Sequence, residues 1–197
     1  MTITRSDRAA VLDTSVPWPL FLSLRDFFRL RNFVETGTCH GDTAYVASTQ
    51  FPHVYTIELL EEYYHHQCDY LKRAGNVTRL CGRSVDHLAA FLPLLDGPTL
   101  FFLDAHWSGY PLPAPEEECP LLAELELICG TRQPAGDVIA IDDWGMFVRG
   151  AHPPHDPAKW PTSAEVAVAI RSHWPYTLTP FVNILLATPV PVLGGSL

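Results

Sequence analysis

The stretch Phe33-Val34-Glu35-Thr36-Gly37-Thr38-Cys39-His40-Gly41-Asp42-Thr43 decides the fold. Two apolar residues close a short strand, an acid follows, and Gly37 and Gly41 mark a turn that leads straight into a helical segment. Glycine serves where a backbone must turn sharply or lie against a ligand, and a helix N-terminus just beyond offers unpaired N–H groups. Alone this is a weak nucleotide signal, because the two glycines do not form the G-x-G-x-x-G dinucleotide fingerprint. Its weight comes from the segments that surround it.

Upstream, Pro17 to Arg31 places Leu20, Leu22, Leu24, Phe27, Phe28 and Leu30 among arginines, as in an amphipathic helix that packs on the core. Arg25, Arg29 and Arg31 read as its solvated face, and residues 1–16 as a loose N-terminus. Downstream, a helix starts at Asp42 or Thr43, and His53 to Glu58 forms a second strand that also ends in an acid. One helix is expected from Leu59 to about Ala74, stopped by Gly75-Asn76. Val77 to Cys81 is a third strand, and Ser84 is the expected N-cap of the next helix. The most apolar strand, Thr99 to Asp104, should be central. A Pro/Gly/aromatic loop follows, then a helix opened by Pro120 and closed by Gly130. Asp137 to Asp143 is a fifth strand, Trp144 to Pro161 a long loop, and Thr162 to Glu165 a capping box opening another helix. Two closely joined strands, Tyr176–Pro180 and Val182–Ala187, end the pattern as an antiparallel hairpin.

Alternating strands and helices imply a parallel sheet with right-handed crossovers. The expectation is one α/β domain over residues 1–197, a Rossmann-like three-layer sandwich whose core spans 32–187. Composition agrees: 197 residues that are 47% hydrophobic and 18% charged make a globular chain with a sizeable core. A net charge of −9 argues against nucleic acid, whose backbone requires a basic face. No apolar run is long enough for a membrane span, and no signal-peptide core precedes residue 17. The five cysteines lack C-x-x-C spacing, which points to a reducing cytoplasm rather than a disulfide frame or a zinc site.

Four of these strands end in acids: Glu35, Glu58, Asp104 and the pair Asp142-Asp143. In doubly wound sheets ligands bind beyond the carboxyl ends of the strands, and an acid roughly 20 residues after the glycine turn can accept from ribose hydroxyls. Glu58 stands at that interval. The acid-lined turn calls for a ligand with a ribose and a positive centre.

The series ETGTCHGDT, YTIE, LCGRS, LFFLDAH and VIAIDDW resembles class I S-adenosylmethionine-dependent methyltransferases over residues 32–187. That resemblance implies a seven-stranded, mostly parallel sheet with a reversed C-terminal strand. It implies that Glu35, Gly37, Thr38, Gly41 and Thr43 surround the methionine part of the cofactor, with Glu58 and Leu59 at the ribose. Gly82, Arg83 and Ser84 fall near the adenine. Arg83 departs from the pattern, since many such enzymes carry an aspartate there to receive the adenine amino group. A narrower similarity, in L-D-A-H (103–106) and I-D-D-W (141–144), is to metal-dependent O-methyltransferases of antibiotic sugars. It implies a magnesium ion on Asp104, Asp142 and Asp143, with His106 as general base.

The residue types suit that chemistry. Methyl transfer from a sulfonium is an in-line displacement governed by positioning. A hydroxyl acceptor must lose a proton, which a cation on carboxylates or a histidine with a pKa near 6.5 can promote. The plainer reading of Asp142-Asp143 is a helix cap or turn. Trp107, Tyr110 and Trp144 fall on the acceptor side, where they either stack on a ring or pack a lid. Glu116, Glu117 and Glu118 read as charge before a helix N-terminus, and His152 and His155 as residues of a solvated loop. The resulting expectation is O-methylation of a small polar acceptor, a saccharide or natural-product intermediate. The N-terminal helix, loop 107–118 and loop 144–161 would hold it, and the apolar helix allows a homodimer. A nicotinamide-dependent oxidoreductase would need a full glycine fingerprint and a proton donor that the sequence does not offer. A non-catalytic cofactor module would turn Asp104 and His106 away from the transferred methyl.

Overall fold

The computed structural model describes residues 16–109, 115–132 and 136–190. Its elements run α1 (Trp18–Phe28), β1 (Asn32–Thr36), α2 (Asp42–Ser48), β2 (His53–Glu58), α3 (Glu61–His66), α4 (Asp69–Arg73), β3 (Val77–Cys81) and α5 (Ser84–Phe91). The second half runs β4 (Thr99–Leu103), α6 (Leu121–Thr131), β5 (Val138–Ile141), α7 (Trp144–Arg149), α8 (Ser163–Arg171), β6 (Tyr176–Phe181) and β7 (Ile184–Pro189). The seven strands form one sheet in the order β3-β2-β1-β4-β5-β7-β6. Strands β1 to β5 are parallel, whereas β7 runs antiparallel to both β5 and β6. This is the Rossmann-like α/β sandwich with its reversed C-terminal strand.

Every residue of β1, β4 and β5 is buried, as strands covered on both faces require. Two apolar clusters sandwich the sheet. One includes Phe101, Leu125, Ile128, Ile139 and Trp174, and the other Phe21, Phe33, Phe51 and Phe102. Helix α1 belongs to the second: fully buried Phe21 meets Phe33 and Phe102 at ring-centroid distances of 6.4 and 5.7 Å. Beyond the far end of the sheet, Arg132 pairs with Asp137 at 2.8 Å, and Asp137 also accepts from Thr99 N–H.

Several local expectations are corrected. The helix foreseen over Leu59 to Ala74 is two short helices, broken at Gln67-Cys68, where Gln67 is extended with ψ 152°. Tertiary bonds replace helical ones there. The Gln67 carbonyl side chain accepts from Arg79, and Cys68 N–H donates to His40 O at 2.9 Å. The break therefore pins α4 under the β1–α2 turn. Ser84 is not an N-cap but the first residue of α5, and it is buried. Gly130 does not close α6, which runs to Thr131 before Arg132 leaves it for the Asp137 carboxylate. Residues 144–161 are not all loop: α7 and a 3-10 turn at Pro157–Lys159 lie within them. Arg25 leaves the solvated face of α1 and donates to Gln50 O at 2.9 Å, while Arg29 and Arg31 stay exposed. The loose N-terminus foreseen for residues 1–16 lies, but for Val16, outside the described residues, as does Tyr110. Among the described residues no helix is long and apolar enough to cross a membrane.

Candidate functional site

Strand order reverses between β1 and β4, since β2 lies to one side of β1 and β4 to the other. The crevice beyond the carboxyl ends of these strands is where open α/β sheets bind ligands, and the glycine turn sits there. Gly37 has φ +87°, and a Cβ on it would come within 2.2 Å of the Asp104 carbonyl oxygen. Only glycine lets the turn lie flat on the end of β4. Gly41, at φ +88°, precedes α2, and a Cβ there would strike Leu71 of α4 at 2.5 Å.

Glu58 clamps this turn. One carboxylate oxygen accepts from Cys39 N–H at 2.8 Å and the other from Leu60 N–H at 2.9 Å. A carboxylate has about four lone-pair sites, so these two bonds leave acceptor capacity on both oxygens. Glu35 lies beneath, 1% exposed, where the Thr56 hydroxyl donates to it and Thr38 bonds Thr56 at 2.6 Å. Burial pushes the Glu35 carboxyl up to about 8, partly offset by the Thr56 bond and reinforced by Asp104, Glu58 and Asp42. Thr43 is half-buried in the first turn of α2, and Leu59 is 54% exposed beyond β2. Gly82 donates to Glu58 O at 2.8 Å, which brings the β3–α5 turn alongside. Arg83 points to solvent and pairs with Glu117 at 3.0 Å.

A second group gathers beyond β4 and β5. His106 Nε2 is 3.0 Å from an oxygen of Asp143, and its Nδ1 is 3.5 Å from Asp104. Asp143 stands at φ +49° before α7 and is held from its other oxygen by the Asn183 amide at 2.7 Å. Burial alone would lower the His106 pKa, but the Asp143 bond and the Asp104 and Asp142 charges outweigh it and raise it. The same His106 bond holds Asp143 below the usual carboxylate range. Burial raises Asp104 and Asp142. Among the described residues no set of three or more His, Cys, Asp or Glu is placed to hold a metal ion.

Behind His106 the two loops are stapled by Glu118. Buried to 2% exposure, it accepts from Asp156 N–H and from Trp160 Nε1, both at 3.1 Å, with Lys159 at 3.7 Å. The plain helix-terminal charge expected for Glu118 is thus a buried anchor. His155 is not solvated either: it packs between Trp107 and Trp160 at ring-centroid distances of 5.2 and 5.1 Å. Trp144 turns away from the acceptor side and stacks on Phe147 in the core.

Glu124 was not foreseen. It lies on the α6 face that carries Leu121, Leu125 and Ile128, and burial raises its carboxyl to about 7, while Ser84 and Thr36 lower it. An acid on the apolar stripe of LLAELELI was the available signal. Asn183, at the β6–β7 turn, was also missed, having only its turn position to mark it. A cleft of about 360 Å³ opens beside this group, lined by His106, Trp107, Asp143, Met146, Arg149 and Asn183 among others. The N-terminal helix does not line it.

The fold recurs in solved structures. An O-methyltransferase of Streptomyces achromogenes involved in tomaymycin synthesis, in complex with S-adenosylmethionine, superposes with TM-score 0.58 at 16% identity, over 95% of this chain and 82% of that one. An O-methyltransferase of Bacillus cereus in complex with S-adenosylhomocysteine gives 0.58 at 18% identity, over 93% and 86%. An S-adenosylhomocysteine-bound methyltransferase of Podospora anserina gives 0.55 at 16%, over 94% and 83%. No protein-family model matches the sequence, and no curated protein matches it.

Proposed function

We propose that this chain is an S-adenosylmethionine-dependent O-methyltransferase of a small polar acceptor, acting in the cytoplasm. One observation carries the reading: three buried or half-buried acids, Glu35, Glu58 and Asp104, surround a single glycine turn at the switch point of the sheet. Glu58 has oxygen lone pairs left for ribose hydroxyls, and the acids offer a counter-charge to a sulfonium and an ammonium. The fold neighbours named above, described as O-methyltransferases or methyltransferases with this cofactor or its product, support the same reading. Gly37, Thr38, Gly41 and Thr43 take the methionine part, Leu59 the ribose edge, and Gly82, Arg83 and Ser84 the adenine side. All five cysteines are free, which suits a reducing compartment. Phe27 on α1, 70% exposed, is where a homodimer contact would form.

When bound, S-adenosylmethionine would supply the methyl group, and His106 would take the proton that the acceptor hydroxyl gives up. With Nε2–H donating to Asp143, Nδ1 carries the free lone pair, and the imidazolium that forms lies between Asp143 and Asp104. Magnesium on Asp104, Asp142 and Asp143 does not fit this arrangement. Asp143 is drawn toward His106 and Asn183, and among the described residues the three acids form no ligand set. No step is assigned to a metal.

Calorimetry of S-adenosylmethionine on wild type and Glu58→Ala tests the reading, with thermal unfolding of both proteins recorded alongside. Micromolar binding to wild type that is lost in a folded Glu58→Ala protein is the expected result. Absence of binding to wild type would sink it and favour a nicotinamide cofactor, which the same titration can examine.

A further inference from the structure

We infer that the acceptor carries an anionic group, a carboxylate or a phosphate, held in the cleft by Arg149. This rests on the methyltransferase reading above and names the class of its acceptor. Arg149 lines the cleft that also contains His106 and Asp143, yet no ion pair reaches its guanidinium among the described residues. The one carboxylate lining the cleft, Asp143, is oriented by His106 and Asn183 and makes no ion pair with Arg149.

The position of the guanidinium is built rather than incidental. An arginine in the last turn of a helix commonly serves the carbonyl end of the dipole. Here the side chain runs back toward the start of α7, as helical side chains lean, and lies over Gly145. A Cβ at 145 would come within 2.6 Å of Arg149 Nη2 and 3.0 Å of Asn183 Oδ1. Gly145 thus leaves the bare surface on which the guanidinium rests. Trp107, on the cleft wall, has a buried indole N–H that meets no acceptor among the described residues. A guanidinium that no carboxylate neutralises, inside a cleft, is a local positive centre that selects for an anion despite the chain's net charge of −9. A planar guanidinium binds carboxylate or phosphate through paired N–H bonds. With the anion on Arg149, the acceptor's hydroxyl end is left to His106. Trp107 and Met146 supply an apolar wall between them.

The test uses protein saturated with S-adenosylhomocysteine, whose own binding is measured first. Titration then compares 4-hydroxybenzoate, 4-hydroxyphenyl phosphate and the neutral 4-hydroxybenzamide on wild type, Arg149→Gln and Arg149→Lys. Wild type should bind at least one anion tenfold or more tighter than the amide, and which anion wins distinguishes carboxylate from phosphate. Arg149→Gln should abolish that preference with S-adenosylhomocysteine affinity unchanged, and Arg149→Lys should keep part of it. Equal binding of acid and amide, no binding of either anion, or a preference that survives Arg149→Gln would overturn the anion subsite and leave the cofactor reading standing. Failure of S-adenosylhomocysteine itself to bind would overturn both.

Discussion

Replacing Glu35 by glutamine should stabilise the cofactor-free protein, and the gain should grow with pH. In the folded chain burial raises this carboxyl to about 8, from 4.5 when unpaired. Between those values the folded state keeps the proton and the unfolded state loses it. Folding therefore binds a proton, and stability falls as pH rises. The contribution is fully present below pH 4.5 and is lost as pH climbs toward 8. Each pH unit is worth about 1.4 kcal/mol, so the loss at pH 7 is about 3 kcal/mol. Glutamine has the same shape and never ionises, so it escapes that loss, while the Thr56 hydroxyl keeps an oxygen to donate to. Glu124 and Asp104 also have raised pKa values, but both remain in wild type and variant and largely cancel from the difference. Urea unfolding followed by tryptophan fluorescence at pH 5, 6, 7 and 8 measures it. The free-energy difference should widen in favour of Glu35→Gln across that range. Parallel stability curves, or a variant less stable than wild type at pH 8, would refute the assignment of a neutral buried Glu35. The same substitution removes a group able to ionise against a bound sulfonium or ammonium, so S-adenosylmethionine binding should weaken as stability rises.

Three further outcomes follow from the site and its support. His106→Gln should lower turnover by about 10²- to 10⁴-fold, the usual contribution of a general base, with S-adenosylhomocysteine binding retained; unchanged turnover would remove His106 from the chemistry. Turnover should persist after dialysis against a chelator and gain nothing from added Mg²⁺, since Asp143 is held by His106 and Asn183; a magnesium requirement measured in the same assay would show that this pairing opens. Phe21→Ala should cost about 3–5 kcal/mol in urea unfolding, because its ring is fully buried against Phe33 and Phe102; a cost below about 1 kcal/mol would mean that α1 is not part of the cooperative core.

What was legible in the chain was whatever depends on neighbours in sequence. Strand TLFFL announces a central position by having no polar face, and Gly37 and Gly41 announce a turn by needing φ angles that other residues avoid. Acids at the ends of successive parallel strands fall on one edge by the geometry of the crossover, so Glu35, Glu58 and Asp104 were readable as a group before any coordinate. What stayed hidden depends on partners far along the chain. The helix after β2 breaks at Gln67 because Arg79 and His40 compete for its bonds, and propensity is silent about them. Glu118 looked like ordinary charge before a helix until Trp160, some forty residues on, brought its indole N–H to it. Asn183 is a plain turn residue in sequence, yet its amide fixes Asp143, and through Asp143 the tautomer of His106. The reacting end of the site is therefore assembled by long-range polar contacts, and the cofactor end by local backbone rules. This is why the cofactor end could be read from sequence, whereas the acceptor end needed the fold: Arg149, the residue inferred to choose the acceptor, differs from the other unpaired arginines in its place on the cleft wall and in the bare Gly145 beneath it.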